Sequence, residues 1–288
     1  MTAADRSAVQ ICDVGPRDGL QNEPVILPID EKVDFVDRLS RSGVPEIEVG
    51  SFVRPDLIPQ LADSMEVFSA IQRVPGVTYS ALVPNLKGLE AALEARVDKV
   101  AVFTSASEGF ASANIRSSIR ESIERFRQVI DVAHQERLPV RAYVSCVIAC
   151  PYDGPTAVDD VRRVCASLLE LGADELDLGD TIGVATPDDI SRLYEGIADA
   201  CTPSDSVLHL HDTNGRAVEC ARRAFELGVR RFDASCGGLG GCPFAPGASG
   251  NIATEALIGA LDELGADTGI DGAALEAIGR SMRSRLRH

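Results

Sequence analysis

The residues that could do chemistry begin at Leu208-His209-Leu210-His211-Asp212. The protein has only 4 histidines, and two of them stand two positions apart in a run of leucines. On a β-strand, positions i and i+2 share a face. The run therefore predicts two imidazoles side by side, with Leu208 and Leu210 on the opposite face. Two inward rings in one layer are costly without a shared partner, and a metal ion is the natural one. Two hydrogen-bonded core histidines are the structural alternative.

Gly15-Pro16-Arg17-Asp18-Gly19-Leu20-Gln21 offers a carboxylate beside a guanidinium in a glycine-bearing turn. Its plain reading is a surface turn with a local ion pair. Joined to His209 and His211, Asp18 completes a set of two imidazoles and one carboxylate, which leaves coordination positions open for substrate and water. Glu48 lies in Glu46-Ile47-Glu48-Val49 and, if buried, needs a partner; Arg17 could supply it. Asp180, in Leu178-Gly179-Asp180-Thr181-Ile182-Gly183, is either another rim carboxylate or a turn cap. The run Gly237-Gly238-Leu239-Gly240-Gly241-Cys242-Pro243 lets backbone move or approach a ligand closely, and it carries Cys242 near its end. Asn251 is either an N-cap or a hard, neutral oxygen ligand. Two oxygen and two nitrogen donors suit Mg²⁺ or Mn²⁺, with zinc as the alternative.

The elements that must position these groups alternate. Eight strand segments are expected at Gln10–Val14, Glu46–Gly50, Thr78–Val83, Lys99–Phe103, Val140–Val147, Glu175–Leu178, Val207–His211 and Arg231–Ser235. Between them apolar residues recur at helical spacing: Leu57, Leu61, Met65 and Phe68; Ile115, Ile119, Ile123, Phe126 and Ile130; Val158, Val161, Val164 and Leu168. Thr186-Pro187-Asp188-Asp189 reads as a helix start. Asn251 to Leu264 makes an eighth helix, and a last amphipathic helix runs from about Asp271. Gly43, Gly172 and Gly228 each precede a strand in the same way, as left-handed helix ends. Eight such units imply an α/β fold of the TIM (β/α)8 type with a C-terminal helix, as one domain over 1–288. An open doubly wound sheet is the runner-up, but no Gly-x-Gly-x-x-Gly follows the first strand. The functional groups then fall at the C-terminal ends of strands, where barrels of this kind place their chemistry.

Composition narrows the partners. A net charge of −16 argues against nucleic acid, which needs a basic face. It also means that an anionic ligand requires a locally basic site. No apolar run reaches the roughly 20 residues of a membrane span, and no signal peptide is visible, so a cytoplasmic protein is expected. The 8 cysteines include no Cys-x-x-Cys pair, and Cys165 and Cys220 read as core residues. The oligomeric state stays open, a homo-oligomer among the options.

With these residues in place, the chain resembles the 3-hydroxy-3-methylglutaryl-CoA lyases of the DRE-TIM metallolyases. The resemblance runs from Val14 to about Gly269. Its motifs are Val14 through Glu23, Pro84-Asn85-Leu86-Lys87-Gly88, Tyr143-Val144-Ser145-Cys146, Cys150-Pro151-Tyr152, Gly179 through Gly183, His209 through Thr213, and Gly237 through Asn251. It implies a divalent ion held by Asp18, His209, His211 and Asn251, with Arg17, Glu48, Asp180, His209 and Cys242 acting in catalysis. It further implies an acyl-CoA substrate and retro-Claisen cleavage, within leucine degradation and ketone-body formation. His209 or Asp180 would take the C3-hydroxyl proton, Arg17 would stabilise charge on the thioester oxygen, Glu48 would orient Arg17, and Cys242 would protonate the enolate. Arg54 and Lys87 are the candidates for the CoA phosphates. Where the family often reads Ser-Phe-Val-Ser-Pro-Lys-Trp, this chain has Ser51-Phe52-Val53-Arg54-Pro55-Asp56-Leu57. That departure keeps a related 3-hydroxy-3-alkylglutaryl-CoA open as substrate. A metal-dependent aldolase or acyl-CoA-condensing synthase on the same barrel is a further alternative, and a non-catalytic binding protein on a decayed barrel is the rival from another class.

Overall fold

Eight parallel strands close into a barrel in the order of the chain. The computed structural model describes residues 7–242 and 245–286; side chains within 241–249, that of Cys242 included, lie outside the described part. The barrel strands are β1 Gln10–Asp13, β2 Glu46–Ser51, β3 Thr78–Leu82, β4 Lys99–Ser105, β5 Val140–Ser145, β6 Glu175–Asp180, β7 Ser206–Leu210 and β8 Arg231–Ala234. Each pairs with the next, and β8 pairs with β1 to shut the ring. The helices are α1 Ile29–Arg41, α2 Ser64–Ala70, α3 Leu86–Glu94, α4 Glu108–Ile115, α5 Ile119–Gln135, α6 Val158–Leu171, α7 Pro187–Ile197, α8 Ala217–Leu227, α9 Thr254–Asp262 and α10 Gly272–Leu286. None of the described helices is long and apolar enough to cross a membrane.

Most of the expected grammar is present, with local corrections. Gly172 and Gly228 end α6 and α8 in the left-handed conformation, and Gly43 adopts a positive φ two residues after the end of α1. Thr186 caps α7 in a reciprocal capping box with Asp189. The apolar series from Ile115 to Ile130 is two helices rather than one. Ser118 and Glu121 form a capping box that starts α5, after Arg116 has turned left-handed at the end of α4. Leu57 is exposed on the rim and does not join α2. Asn251 is not an N-cap, because α9 starts three residues later at Thr254.

Outside the strands the packing is apolar, with Leu176, Leu178, Leu208 and Leu210 turned toward the helices. The barrel interior is unusual in being charged, where branched apolar residues are the norm. At the N-terminal end Arg141 meets Glu175 at 2.6 Å, Glu46 at 3.2 Å and Asp233 at 2.9 Å. Lys99 adds pairs to Glu46 at 2.7 Å and Glu175 at 3.2 Å. One layer up, the Tyr143 hydroxyl lies 3.2 Å from both Glu48 Oε2 and Asp233 Oδ2. Above that, Glu48 accepts from Arg17 Nε at 2.5 Å. A register shift between Glu48 and Gly50 on β2 marks a bulge at this level, a feature that re-aims side chains next to active sites.

Arg141 is the hub of this column, so Arg141→Met should lower stability by about 3–5 kcal/mol, the cost of leaving buried charges without their partner. Urea unfolding monitored by circular dichroism reads the change; a loss well under 1 kcal/mol would mean that the column is not a stabilising constraint.

Candidate metal centre and active site

Three segments bring their polar groups to one point at the C-terminal mouth of the barrel. The first is the wide π-type turn Gly15–Gly19, in which the amides of Arg17 and Gly19 both donate to the Val14 carbonyl. It delivers Arg17 and Asp18 to the mouth. The second is the end of β7. The His209 and His211 rings lie with centroids 5.2 Å apart, the side-by-side placement that the i, i+2 spacing demands. The third is the stretch before α9, where Asn251 bridges His211 backbone to backbone and Ile252 N–H donates to Leu210 O at 3.0 Å.

The donor set converges. Ligand atoms of Asp18, His209 and His211 all lie within 4.8 Å of one another. His211 Nε2 stands 3.9 Å from Asp18 Oδ2, too far for a hydrogen bond. Asn251 Nδ2 donates to Asp18 Oδ2 at 2.9 Å and to the Leu239 carbonyl at 3.2 Å. These two acceptors fix the amide orientation and leave its oxygen for something else. Asn251 Oδ1 and His211 Nδ1 are both buried and have no partner. A buried polar atom without a partner calls for an explanation such as an ion. A hard divalent ion fits these donors: one carboxylate, neutral nitrogen and an amide oxygen.

The protonation of His211 and of Asp18 agrees with that fit. Burial, and then the His209 charge, push the His211 imidazole down to about 4, so it is neutral and able to ligate near neutrality. Burial alone would raise Asp18, but the Arg17 guanidinium and both imidazoles outweigh it and hold the carboxyl well below its usual range. Burial lowers His209, and its contact with Asp233 more than reverses this, raising the ring above its ordinary value. Asp233 Oδ2 lies 3.2 Å from His209 Nδ1, which leaves Nε2 as the one ring nitrogen free for an ion or a proton. A carboxylate behind a ligating histidine is the common arrangement that fixes ring orientation.

Arg17 is held on two sides, by Glu48 and by Asp18 Oδ1 at 2.6 Å from Nη1, and its guanidinium lies over the Tyr143 ring at 5.3 Å. The expected Arg17–Glu48 partnership is present. Asp180 is the residue that does not reach the group. Its carboxylate accepts from the Val184 and Ala185 amides at 3.2 and 2.8 Å, so it closes the turn after β6. Burial raises it to about 6 against those two donors. Its place as an alternative to His209 beside the ion is therefore corrected by strand parity: Asp177 and Gly179 face inward, and Asp180 does not. Cys242 falls in the short Gly241–Cys242 strand, with its side chain outside the described residues.

Sequence reasoning missed the layer beneath. Tyr143, Asp177, Asp233 and Arg141 are all buried in the barrel. Burial and the neighbouring Asp233 push Asp177 well above the carboxylate range. Asp233 is held below the usual carboxylate range, because Arg141 and His209 overcome its burial. The signal was available in the alternation Glu175-Leu176-Asp177-Leu178-Gly179, which puts polar groups inside and leucines outside.

The mouth opens into a cavity of about 810 Å³, bounded by Arg17, Asp18, His209 and His211 at its base. Arg54, Arg116 and Arg125 stand on its walls, as do the apolar Leu57, Phe103, Phe110 and Tyr152. Lys87 is exposed on α3 and does not line it.

Comparison with known proteins places this geometry. A family model described as HMGL-like matches residues 8–282. A Pseudomonas aeruginosa protein named 3-hydroxy-3-isohexenylglutaryl-CoA/hydroxy-methylglutaryl-CoA lyase is 47% identical over 95% of this chain and 91% of its own length. The crystal structure of the HMG-CoA lyase from Brucella melitensis superposes with a TM-score of 0.96 at 48% identity, covering 98% of this chain and all of that one (100%). An HMG-CoA lyase from Acinetobacter baumannii, solved in complex with coenzyme A and 3-methylmalate, has a TM-score of 0.92 at 39% identity, over 98% of this chain and 92% of that one. With its closed barrel, its convergent donors and these relatives, the chain belongs to the HMGL-like family of lyases.

Proposed function

We propose that this lyase cleaves 3-hydroxy-3-methylglutaryl-CoA to acetoacetate and acetyl-CoA at a divalent-ion centre held by Asp18, His209, His211 and Asn251. The observation that carries the reading is the convergence of Asp18, His209 and His211 ligand atoms within 4.8 Å of one another, beside the Asn251 side chain whose buried Oδ1 has no partner. Magnesium or manganese suits a donor set of this hardness. When bound, the ion supplies Lewis acidity that makes a substrate hydroxyl easier to deprotonate.

The reaction breaks the C2–C3 bond. The C3 hydroxyl loses its proton, the C3–O bond becomes a carbonyl, and the C2–C3 electron pair becomes the enolate of acetyl-CoA, which is then protonated on carbon. Arg17 is the group placed to stabilise that enolate. Two of its nitrogens are engaged by Glu48 and Asp18, so the guanidinium is fixed before substrate arrives and its remaining N–H groups are free to meet negative charge. Glu48 holds Arg17, and the Asp233 carboxylate holds His209. His209 has one free nitrogen, so ligation of the ion and removal of the hydroxyl proton exclude each other at any one moment; we assign that nitrogen to the ion, and the hydroxyl proton passes to water in the cavity. Cys242, on the glycine-rich stretch that leads to Asn251, is the proposed donor to the enolate carbon.

The named complex of the Acinetobacter relative supports an acyl-CoA ligand. Arg54, Arg116 and Arg125 on the cavity walls offer positive charge to its phosphates, despite the chain's net charge of −16. A larger C3 substituent is the second reading. It is favoured by the name of the Pseudomonas relative and by the apolar Leu57, Phe103, Phe110 and Tyr152 beside the site. The 7 described cysteines are all free, as a reducing, cytoplasmic setting would keep them.

Acetoacetate release from 3-hydroxy-3-methylglutaryl-CoA should need Mg²⁺ or Mn²⁺, stop with chelator and return on adding metal. Release that ignores chelator would remove the ion from the account. Arg17→Met should lower kcat by roughly 10²–10³-fold, the usual worth of one such donor, and wild-type turnover would exclude its role. Asp233→Asn should weaken Mn²⁺ binding by about 10–100-fold, as loss of a carboxylate behind a ligating histidine does; calorimetric titration showing wild-type affinity would mean that His209 does not ligate the ion.

A further inference from the structure

The C-terminal helix reaches the site through a strip of five residues. After β8 the chain runs through Cys236, Gly237, Gly238, Leu239 and Gly240 before the stretch that returns at Asn251. At its start the strip lies against α10 backbone to backbone. A Cβ on Gly279 would fall 2.7 Å from Gly237 Cα, and one on Gly237 would fall 3.0 Å from Gly279 Cα. Gly237 also has a φ of 79°, which other residues rarely adopt. Two charged side chains grip this glycine. Its N–H donates to Glu255 Oε2 at 2.9 Å, and its carbonyl accepts from Arg283 Nη1 at 2.6 Å. Arg283 and Glu255 pair with each other at 3.4 Å. The Cys236 thiol adds a contact to the Leu275 carbonyl of α10 at 3.3 Å.

At its other end the strip touches the proposed ligands. The Leu239 carbonyl accepts from Asn251 Nδ2, the same nitrogen that donates to Asp18. Gly240, with φ 104°, passes so close that a Cβ would lie 2.9 Å from Asn251 Nδ2 and 3.3 Å from Gly19 Cα. Its N–H is tied to Glu23 Oε1 at 3.3 Å. The amide plane of Asn251, and with it the direction of Oδ1, therefore depends on where Leu239 is held, and Leu239 is two residues from the grip on Gly237.

We infer that Arg283 is a positioning residue for the ion: with Glu255 it fixes the Gly237 peptide, and through Leu239 that fixes the direction of the Asn251 oxygen. The inference rests on the reading of Asn251 as a ligand. The Arg283–Glu255 pair is partly exposed, and such pairs contribute little to stability, so its effect is separable from folding. α10 has a second tie that does not touch the strip, from Arg285 to Asp34 at 3.2 Å and to Glu31 at 3.7 Å on α1. That tie provides the control.

The test is Mn²⁺ titration of the full chain, followed by the electron paramagnetic resonance of free Mn²⁺, with thermal unfolding measured alongside. Asn251→Ala should weaken binding strongly. Arg283→Leu should weaken it roughly tenfold, at the low end of what second-layer changes at metal sites cost. Arg283→Lys should recover most of the affinity, and Arg285→Leu should bind as wild type even where its melting temperature falls as far. Wild-type affinity in Arg283→Leu, with Asn251→Ala weakened, overturns the inference and leaves the ligand reading standing. Equal weakening in Arg285→Leu overturns it too, since helix docking alone would then explain the effect. Wild-type affinity in Asn251→Ala removes the ligand reading and the inference with it.

Discussion

Everything at the mouth of this barrel depends on charges in its dry interior finding partners. Water does not reach Arg141 or Asp233 to solvate them, so each must be matched by a side chain from across the ring. Arg141 joins β2, β6 and β8 through Glu46, Glu175 and Asp233. Asp233 hands that constraint to His209. Tyr143 sits between the Asp233 and Glu48 carboxylates, and Glu48 hands the constraint to Arg17. A column of pairs thus runs from the closed end of the barrel to His209, a proposed ligand, and to Arg17. The interior carboxylates Glu46, Glu48, Glu175 and Asp233 meet the cations Lys99, Arg141, Arg17 and Arg231, while burial and the neighbouring Asp233 push Asp177 well above the carboxylate range, so the column is close to balanced.

The same column resolves the conflict between an acidic chain and an anionic ligand. Much of the negative charge is spent inside the barrel or on helix surfaces, in pairs such as Arg162–Asp159 and Arg280–Glu276. The cavity wall carries Arg17, Arg54, Arg116 and Arg125 against Asp18 and Asp56, the second of which pairs with Arg54. Local sign, set by which strand ends and rim turns carry arginine, governs approach to the site more than the total does.

Much of this was legible in the sequence because it rests on short-range geometry. The i, i+2 rule places His209 and His211 on one face from five residues alone. Gly172 and Gly228 mark helix ends because only glycine turns left-handed without strain. Asp180 was misplaced for a reason the same rule contains: on β6 the inward positions are 175, 177 and 179, so the carboxylate of Asp180 turns to the amides of Val184 and Ala185. The break between α4 and α5 was also readable, in the Ser118 to Glu121 capping spacing. The Arg141–Asp233 pair was not, since it joins residues 92 apart in the chain and arises only when the barrel closes. Nor was the grip of Arg283 on Gly237, which needs α10 to lie across the strip after β8.

The proposed chemistry requires one divalent ion between two imidazoles, a carboxylate and an amide oxygen. Pulsed electron paramagnetic resonance of Mn²⁺ bound to protein carrying ¹⁵N-labelled histidine tests it most directly. Hyperfine coupling to two imidazole nitrogens per ion, reduced to one in His211→Ala, is the result this account predicts. Mn²⁺ coordinated by oxygen alone, or coupling unchanged in His211→Ala, would contradict it.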